Sequence, residues 1–375
     1  CMMNVALELQ PCCGNRSGIG TYTYELARRL RDGDGLAFSG NVFRFLNRGQ
    51  QAAALREMTF PIHTQASMSY GIYRRIWHML PIPYSMLFPK ADLNIFFDYI
   101  VPPRVSGRIM TTIHDMTYLR FPETMGRRNL DRIRSDIDSS VERSDRILTV
   151  SEFSKREIVE LLGIAPEKVH VVYNAPSISS EMVPVDSLQK EHGISAPYLL
   201  YVGTIEPRKN VLRLLHAFTQ LKEEAGIPHQ LVLAGGMGWR TEEFQRAVSA
   251  SRWKDQIILT GYVSGAEKNA LYRYADAFVF PSLYEGFGIP PLEAMSFGCP
   301  VVCSDAASLP EVVGEAGVYV KPEDVSSIAQ GIWSVICSPE HRETLAEKGR
   351  EQIQKFSWEQ SAKELTGICR EVLSI

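Results

Sequence analysis

The sequence predicts an α/β protein of two domains, each a parallel β-sheet flanked by helices. Three observations carry this. Apolar runs of strand length alternate with amphipathic, helix-length segments along most of the 375 residues, a length comfortable for two cores. The alternation lapses over a Ser-, Pro- and acid-rich stretch at 177–197 and then starts afresh. In both halves, glycine-bearing or charged loops directly follow strand-like runs, where open α/β sheets bind ligands. The expected division is a first domain at 1–176, a linker at 177–197 and a second domain from 198.

In the first half, Val5-Ala6-Leu7 reads as a strand, followed by the turn-rich loop Gly14 to Gly20 and an amphipathic helix from Thr21 to Leu30. The stretch Tyr70 to Phe88 mixes aromatic with basic residues, among them Arg74, Arg75, Trp77 and His78. It reads either as a partly buried helix and loop or, through Arg74 and Arg75, as an acceptor or membrane-facing surface. Leu93 to Phe97 and Ile109 to Ile113 are further buried strands, and the second runs into His114-Asp115. A histidine after a strand is commonly structural; at the carboxyl end of an α/β sheet strand it is also a candidate ligand contact. Arg127 to Arg143 reads as a charged helix, Ile147 to Val150 as a strand, and Ser151 as the N-cap of the next helix.

The second half opens with the strand Tyr198 to Val202 and the loop Gly203-Thr204-Ile205-Glu206-Pro207-Arg208-Lys209-Asn210. Adjacent cations at the mouth of a strand suit a diphosphate: Arg208 can grip it bidentately and Lys209 acts as a point charge. Strands are expected at Leu231 to Ala234 and Ile257 to Val263. Next comes the central stretch, Tyr284-Glu285-Gly286-Phe287-Gly288-Ile289-Pro290-Pro291-Leu292-Glu293-Ala294-Met295, between the apolar runs 277–280 and 301–303. It reads as a strand, a glycine loop and a helix N-terminus, with a proline in the first turn and Gly298 as the stop. Backbone N–H groups at Gly286 to Ile289 would face an anion, helped by the helix dipole. Glu285 and Glu293 frame the loop, and carboxylates accept paired hydroxyls of a ribose or hexose. The plainer reading is an ordinary acidic helix start.

The run Glu285-x7-Glu293, written E-G-F-G-I-P-P-L-E-A-M, resembles the signature of retaining GT-B glycosyltransferases of family 4, and the resemblance extends over nearly the whole chain. It implies two Rossmann-like domains facing a central cleft, with the tail at about 357–375 crossing back onto the first domain and the second ending near 356. It matches Gly18 and Gly20 to a loop that lets the backbone approach donor phosphates. It matches His114 to a contact beside the donor sugar, Arg208 and Lys209 to the diphosphate, and Tyr262 and Val263 to the base. Glu285 would hold the sugar hydroxyls and Glu293 the ribose. One departure is Thr204, which stands where many relatives carry an arginine. The E-P-R-K-N variant is similar to that of bacterial mannosyltransferases of surface polysaccharide synthesis, which leans the donor towards GDP-mannose.

Composition agrees with an ordinary globular enzyme. The net charge of −3 gives no basic excess for nucleic acid. Apolar runs are strand-length, no signal-peptide pattern appears, and the seven cysteines lack a metal or disulfide framework, which points to a reducing, cytoplasmic setting, with the stretch 70–88 suggesting the inner face of a membrane. No D-x-D-type acidic motif accompanies the phosphate elements, so neither metal nor other cofactor is expected. The reading is an enzyme that transfers a sugar from a nucleoside diphosphate to a saccharide or lipid-linked saccharide hydroxyl, with retention. The alternatives are a catalytically inactive binding or scaffold subunit, or a nucleotide-sugar epimerase on the same fold.

Overall fold

The computed structural model describes residues 2–13, 18–44, 50–195 and 197–374. The chain divides into two compact units: residues 1–118, 127–174 and 357–375 in the first, 119–126 and 175–356 in the second.

In chain order, the first unit contains β1 (Met3–Glu8), α1 (Gly18–Ala27), β2 (Leu36–Phe43), α2 (Gln50–Leu55), β3 (Ile62–Gln65), α3 (Tyr70–Ile76), α4 (Tyr84–Leu87), β4 (Leu93–Phe96) and β5 (Arg108–Thr112). After the short α5 (Thr117–Arg120) come α6 (Arg127–Arg143), β6 (Arg146–Thr149), α7 (Glu152–Leu162) and β7 (Val169–Val171). The strands form one parallel sheet in the order β3-β2-β1-β4-β5-β6-β7. Val5, Leu7, Leu93, Ile95, Met110, Ile147 and Leu148 are fully buried in it. Helix α6 packs through Ile133, Ile137 and Val141, spaced four apart on one face. Ser151 caps α7 by accepting the Ser154 N–H at 3.0 Å, and Gly163, at φ 62°, ends it.

The second unit contains α8 (Val185–His192), β8 (Tyr198–Val202), α9 (Val211–Glu224), β9 (Gln230–Ala234), α10 (Glu242–Ala250), β10 (Ile257–Gly261), α11 (Gly265–Tyr274) and β11 (Ala277–Phe280). It continues through α12 (Ile289–Ser296), β12 (Val301–Ser304), α13 (Leu309–Val313), β13 (Gly317–Val320), α14 (Val325–Ile336) and α15 (Pro339–Gln352). Its parallel sheet runs β10-β9-β8-β11-β12-β13. The last helix, α16 (Trp358–Leu373), belongs to the first unit. There the Trp358 ring meets Tyr22 edge-on, and Ser361 Oγ donates to Tyr173 O at 2.7 Å.

Three local expectations change. Helix α1 begins at Gly18, so Gly18 and Gly20 lie in its first turn; the expected loop at 14–17 falls outside the described residues. The stretch 177–197, read as a linker, carries α8, anchored by the buried Leu188 and ended by Gly193 at φ 72°. Residues 119–126 leave the first unit for the second. Trp239 Nε1 donates to Thr124 O at 2.5 Å, Arg240 donates to Glu123 O, and the Phe121 ring packs 5.5 Å from that of Tyr284. Those three attachments are far apart in sequence, so no local pattern announces them.

Candidate active site

In the second unit the strand order reverses between β8 and β11, and the crevice at such a reversal is where ligands bind. The loops leaving those two strands are tied together. Leu283 N–H donates to Arg208 O at 2.9 Å. Asn210, in the left-handed region at φ 61°, donates its amide to Pro281 O at 2.9 Å and Pro322 O at 2.6 Å. This turn presents Arg208 and Lys209 side by side.

Their side chains join a chain of ion pairs. Lys209 Nζ lies 2.6 Å from Glu285 Oε1 and 5.1 Å from the centre of the Phe280 ring. Arg208 Nη1 donates to Tyr284 O at 2.7 Å and pairs with Glu285 Oε2 at 3.1 Å. Its Nη2 pairs with Glu206 Oε1 at 2.9 Å. Burial alone would raise Glu285, but the charges of Lys209 and Arg208 outweigh it and pull the carboxyl down to about 2. Burial lowers Lys209, and the neighbouring Glu285 opposes that shift. Glu206 is raised, first by desolvation, although Arg208 opposes this.

The glycine loop is shaped for close approach. Gly288, at φ 107°, caps α12, and a Cβ there would meet Leu309 Cδ2 at 2.7 Å. Ser308 Oγ donates to the carbonyls of Glu285 and Phe287, both at 2.8 Å, which holds Gly286 between fixed neighbours. Phe287 is buried, and Ile289 begins α12. One turn further, Glu293 Oε1 accepts from Lys268 Nζ at 2.8 Å and Oε2 from the Tyr272 hydroxyl at 3.0 Å. The Tyr262 ring stands 86% exposed against Gly236, where a Cβ would come within 2.5 Å of it; Val263 beside it is half-buried. Thr204 is half-buried, and its carbonyl accepts from Tyr201 OH at 2.9 Å. Beside the 205–213 turn lies a cavity of about 600 Å³ lined by Glu206, Arg213, His216, Arg240 and Phe244.

In the first unit, His114 follows β5. Its Nε2–H donates to Phe97 O at 2.7 Å, which leaves Nδ1 as the acceptor of the neutral ring. Burial lowers its pKa, and Tyr22 and Tyr99 flank the ring at 5.2 and 5.9 Å. Arg74 and Arg75, on α3, differ in exposure. Arg75 is exposed, whereas Arg74 is half-buried. Arg74 lies 3.8 Å from Asp136 and 5.8 Å from the Trp77 ring, which is itself buried.

The glycosyltransferase family 4 model matches residues 16–178, and the model of glycosyl transferases group 1 matches residues 185–352. The O-antigen chain mannosyltransferase B of Escherichia coli is 32% identical over 95% of this chain and 97% of its own. The chain belongs to glycosyltransferase family 4. Its fold is GT-B. A sucrose-phosphate synthase from Thermosynechococcus elongatus superposes with a TM-score of 0.73 at 18% identity, covering 99% of both chains. Anabaena Alr3699/HepE in complex with UDP-glucose gives 0.73 at 16% identity, covering 98% of this chain and 100% of its own.

Sequence reasoning missed three residues of this glycosyltransferase's second unit: Glu206, Lys268 and Tyr272. Glu206 stands inside the recognised loop, yet only its pairing with Arg208 marks it. Lys268 and Tyr272 sit four apart on α11, a spacing that puts them on one face, but most helices carry such pairs.

Proposed function

We propose that this glycosyltransferase moves mannose from GDP-mannose to a hydroxyl of a saccharide or lipid-linked saccharide. The anomeric configuration is retained, and the product is a bacterial surface polysaccharide. The observation that carries the reading is the ion-pair chain Glu206–Arg208–Glu285–Lys209 at the carboxyl ends of β8 and β11. Carboxylates hold both cations in place before the donor arrives. A leaving diphosphate then meets preorganised charge, which stabilises the transition state without a metal. The mannosyl assignment draws on the Escherichia coli relative and the E-P-R-K-N variant, and the GDP assignment on that variant alone.

In this reading the N–H groups of Gly286 to Ile289 and of Gly18 face the phosphates, with Gly20 allowing close approach. Glu285 receives sugar hydroxyls, and Nδ1 of His114 accepts one near the reacting carbon. Tyr262 offers its open face to the base, with Val263 beside it. Incubation with GDP-mannose, UDP-glucose and ADP-glucose in turn tests this. GDP release from GDP-mannose alone is expected, with an α-linked product by proton NMR. Cleavage of a UDP- or ADP-sugar instead overturns the donor, and a β-linked product overturns retention.

Glu293, held by Lys268 and Tyr272, is assigned to the ribose. Glu293→Gln should weaken free GDP as much as GDP-mannose, by about tenfold or more, the worth of a hydrogen bond to a charged group. Calorimetry showing loss for the sugar nucleotide only would move Glu293 to the sugar.

The acceptor-side surface is narrowed to Arg75 and the exposed apolar side chains Ile72, Met79, Leu80 and Met86 of the same stretch. No described helix is long and apolar enough to cross a membrane. A cation among exposed apolar groups suits peripheral binding to anionic lipid on the inner face of a membrane. Arg75→Glu should reduce sedimentation with phosphatidylglycerol vesicles at least about fivefold, since one cation contributes about 1 kcal/mol there. Equal sedimentation of both proteins would place the lipid contact elsewhere.

A further inference from the structure

The first unit has its own reversal of strand order, between β1 and β4. Glu8 is the last residue of β1, and Asp98 lies two beyond the end of β4. We propose that Glu8, Asp98 and Arg132 form a binding site for a neutral sugar, taking a pair of its hydroxyls at the carboxyl ends of β1 and β4. The proposal rests on the transferase reading above and names where the acceptor sugar is held.

The Asp98–Arg132 pair is bidentate, at 2.9 and 3.0 Å, and Asn129 Oδ1 holds the guanidinium from behind at 3.0 Å. A carboxylate has about four lone-pair sites, so Asp98 keeps acceptor capacity after binding arginine. Glu8 is 7% exposed. Its Oε1 accepts the Gln10 N–H at 2.9 Å, and its other oxygen has no hydrogen-bond partner among the described residues. A ligand hydroxyl would supply one.

The chemistry selects the ligand. Burial, reinforced by the nearby charge of Asp98, raises Glu8 to about 8, so at neutral pH it carries an O–H donor beside an acceptor oxygen. Asp98 accepts and Arg132 donates. Behind them Arg74 and Asp136 offset one another at 3.8 Å. Such a set matches vicinal hydroxyls, each of which donates and accepts. A phosphate would meet Asp98 and force charge away from Glu8, while an amine would face Arg132 and Arg74. This differs from the second unit, where two adjacent cations stand at the corresponding reversal.

Hydrogen-exchange mass spectrometry on the full chain, with and without methyl α-D-mannopyranoside, tests the site without mutation. Protection is expected at the amides of Gln10 and of residues 97–100. A companion measurement is saturation-transfer NMR to the same glycoside with Asp98→Asn and Glu8→Leu. Both variants should lose the signal, and acceptor KM should rise about tenfold or more while GDP-mannose hydrolysis stays within about twofold. Protection confined to other segments, or an undiminished signal in both variants, overturns the site. If glycoside protection appears as expected but no sugar nucleotide is cleaved, the site stands and the transferase reading falls. If GDP-mannose is cleaved and these strand ends are not protected, the site falls alone.

Discussion

Lys209→Ala is expected to lower transfer by about two to three orders of magnitude, the cost of removing one preorganised donor from a developing anion. The loss should appear in kcat more than in KM, because the contact matters most once charge has moved to the leaving diphosphate. The fold should survive. Glu285 keeps Arg208 at 3.1 Å, so the buried carboxylate is not left alone. The pH dependence offers a second readout. Glu285 sits at about 2 in the folded protein against an ordinary 4.5. Its contribution to stability is therefore complete above 4.5 and lost as pH falls from there through 2. In the variant the carboxyl loses one of its two cations, so part of that contribution goes. Wild type and variant should differ in melting temperature at pH 7 and converge in strong acid. Wild-type turnover in the purified variant would remove Lys209 from the mechanism.

Glu8→Gln should make the protein more stable than wild type above pH 8. The folded-state value of about 8 lies above the ordinary 4.5, with desolvation the main cause. Folding therefore takes up a proton across that window. The stability that Glu8 permits is complete below 4.5 and is lost as pH rises through 8. The full span is on the order of 5 kcal/mol at 1.36 kcal/mol per pKa unit. Glutamine is neutral throughout and close in shape. The difference between the two proteins should be small near pH 4.5, grow through neutrality and level off above 8. Parallel melting curves from pH 5 to 9 would mean that Glu8 is ionised in the folded state.

Much of the second unit was readable along the chain. Ile289 to Ser296 forms its helix because glycine and proline punctuate that stretch, and Gly288 and Gly298 take the left-handed values expected of them. Arg208 and Lys209 needed only a strand end and their own charges to stand out. The first unit was less legible. Arg74 and Arg75 look alike in sequence, and only the burial of one face of α3 parts them. The stretch 177–197 lacks a strong apolar period, yet Leu188 finds a covered place and α8 forms around it.

Local chemistry, then, determined the order of strands and helices, the turns between them and the loops that leave each strand. These depend on residues within a few positions of one another. Pairing across the chain did not follow from it. Lys209 meets Glu285 76 positions away, and Tyr272 meets Glu293 across 21. Glu8 directly follows the apolar run Val5-Ala6-Leu7, where a charged residue would ordinarily face water. A parallel sheet covered on both sides buries it instead, and Asp98, 90 residues later, is brought close enough to raise its pKa. Desolvation and long-range charge act through space, so the ionisation of Glu8, Lys209 and Glu285 was set only when the sheets had closed around them.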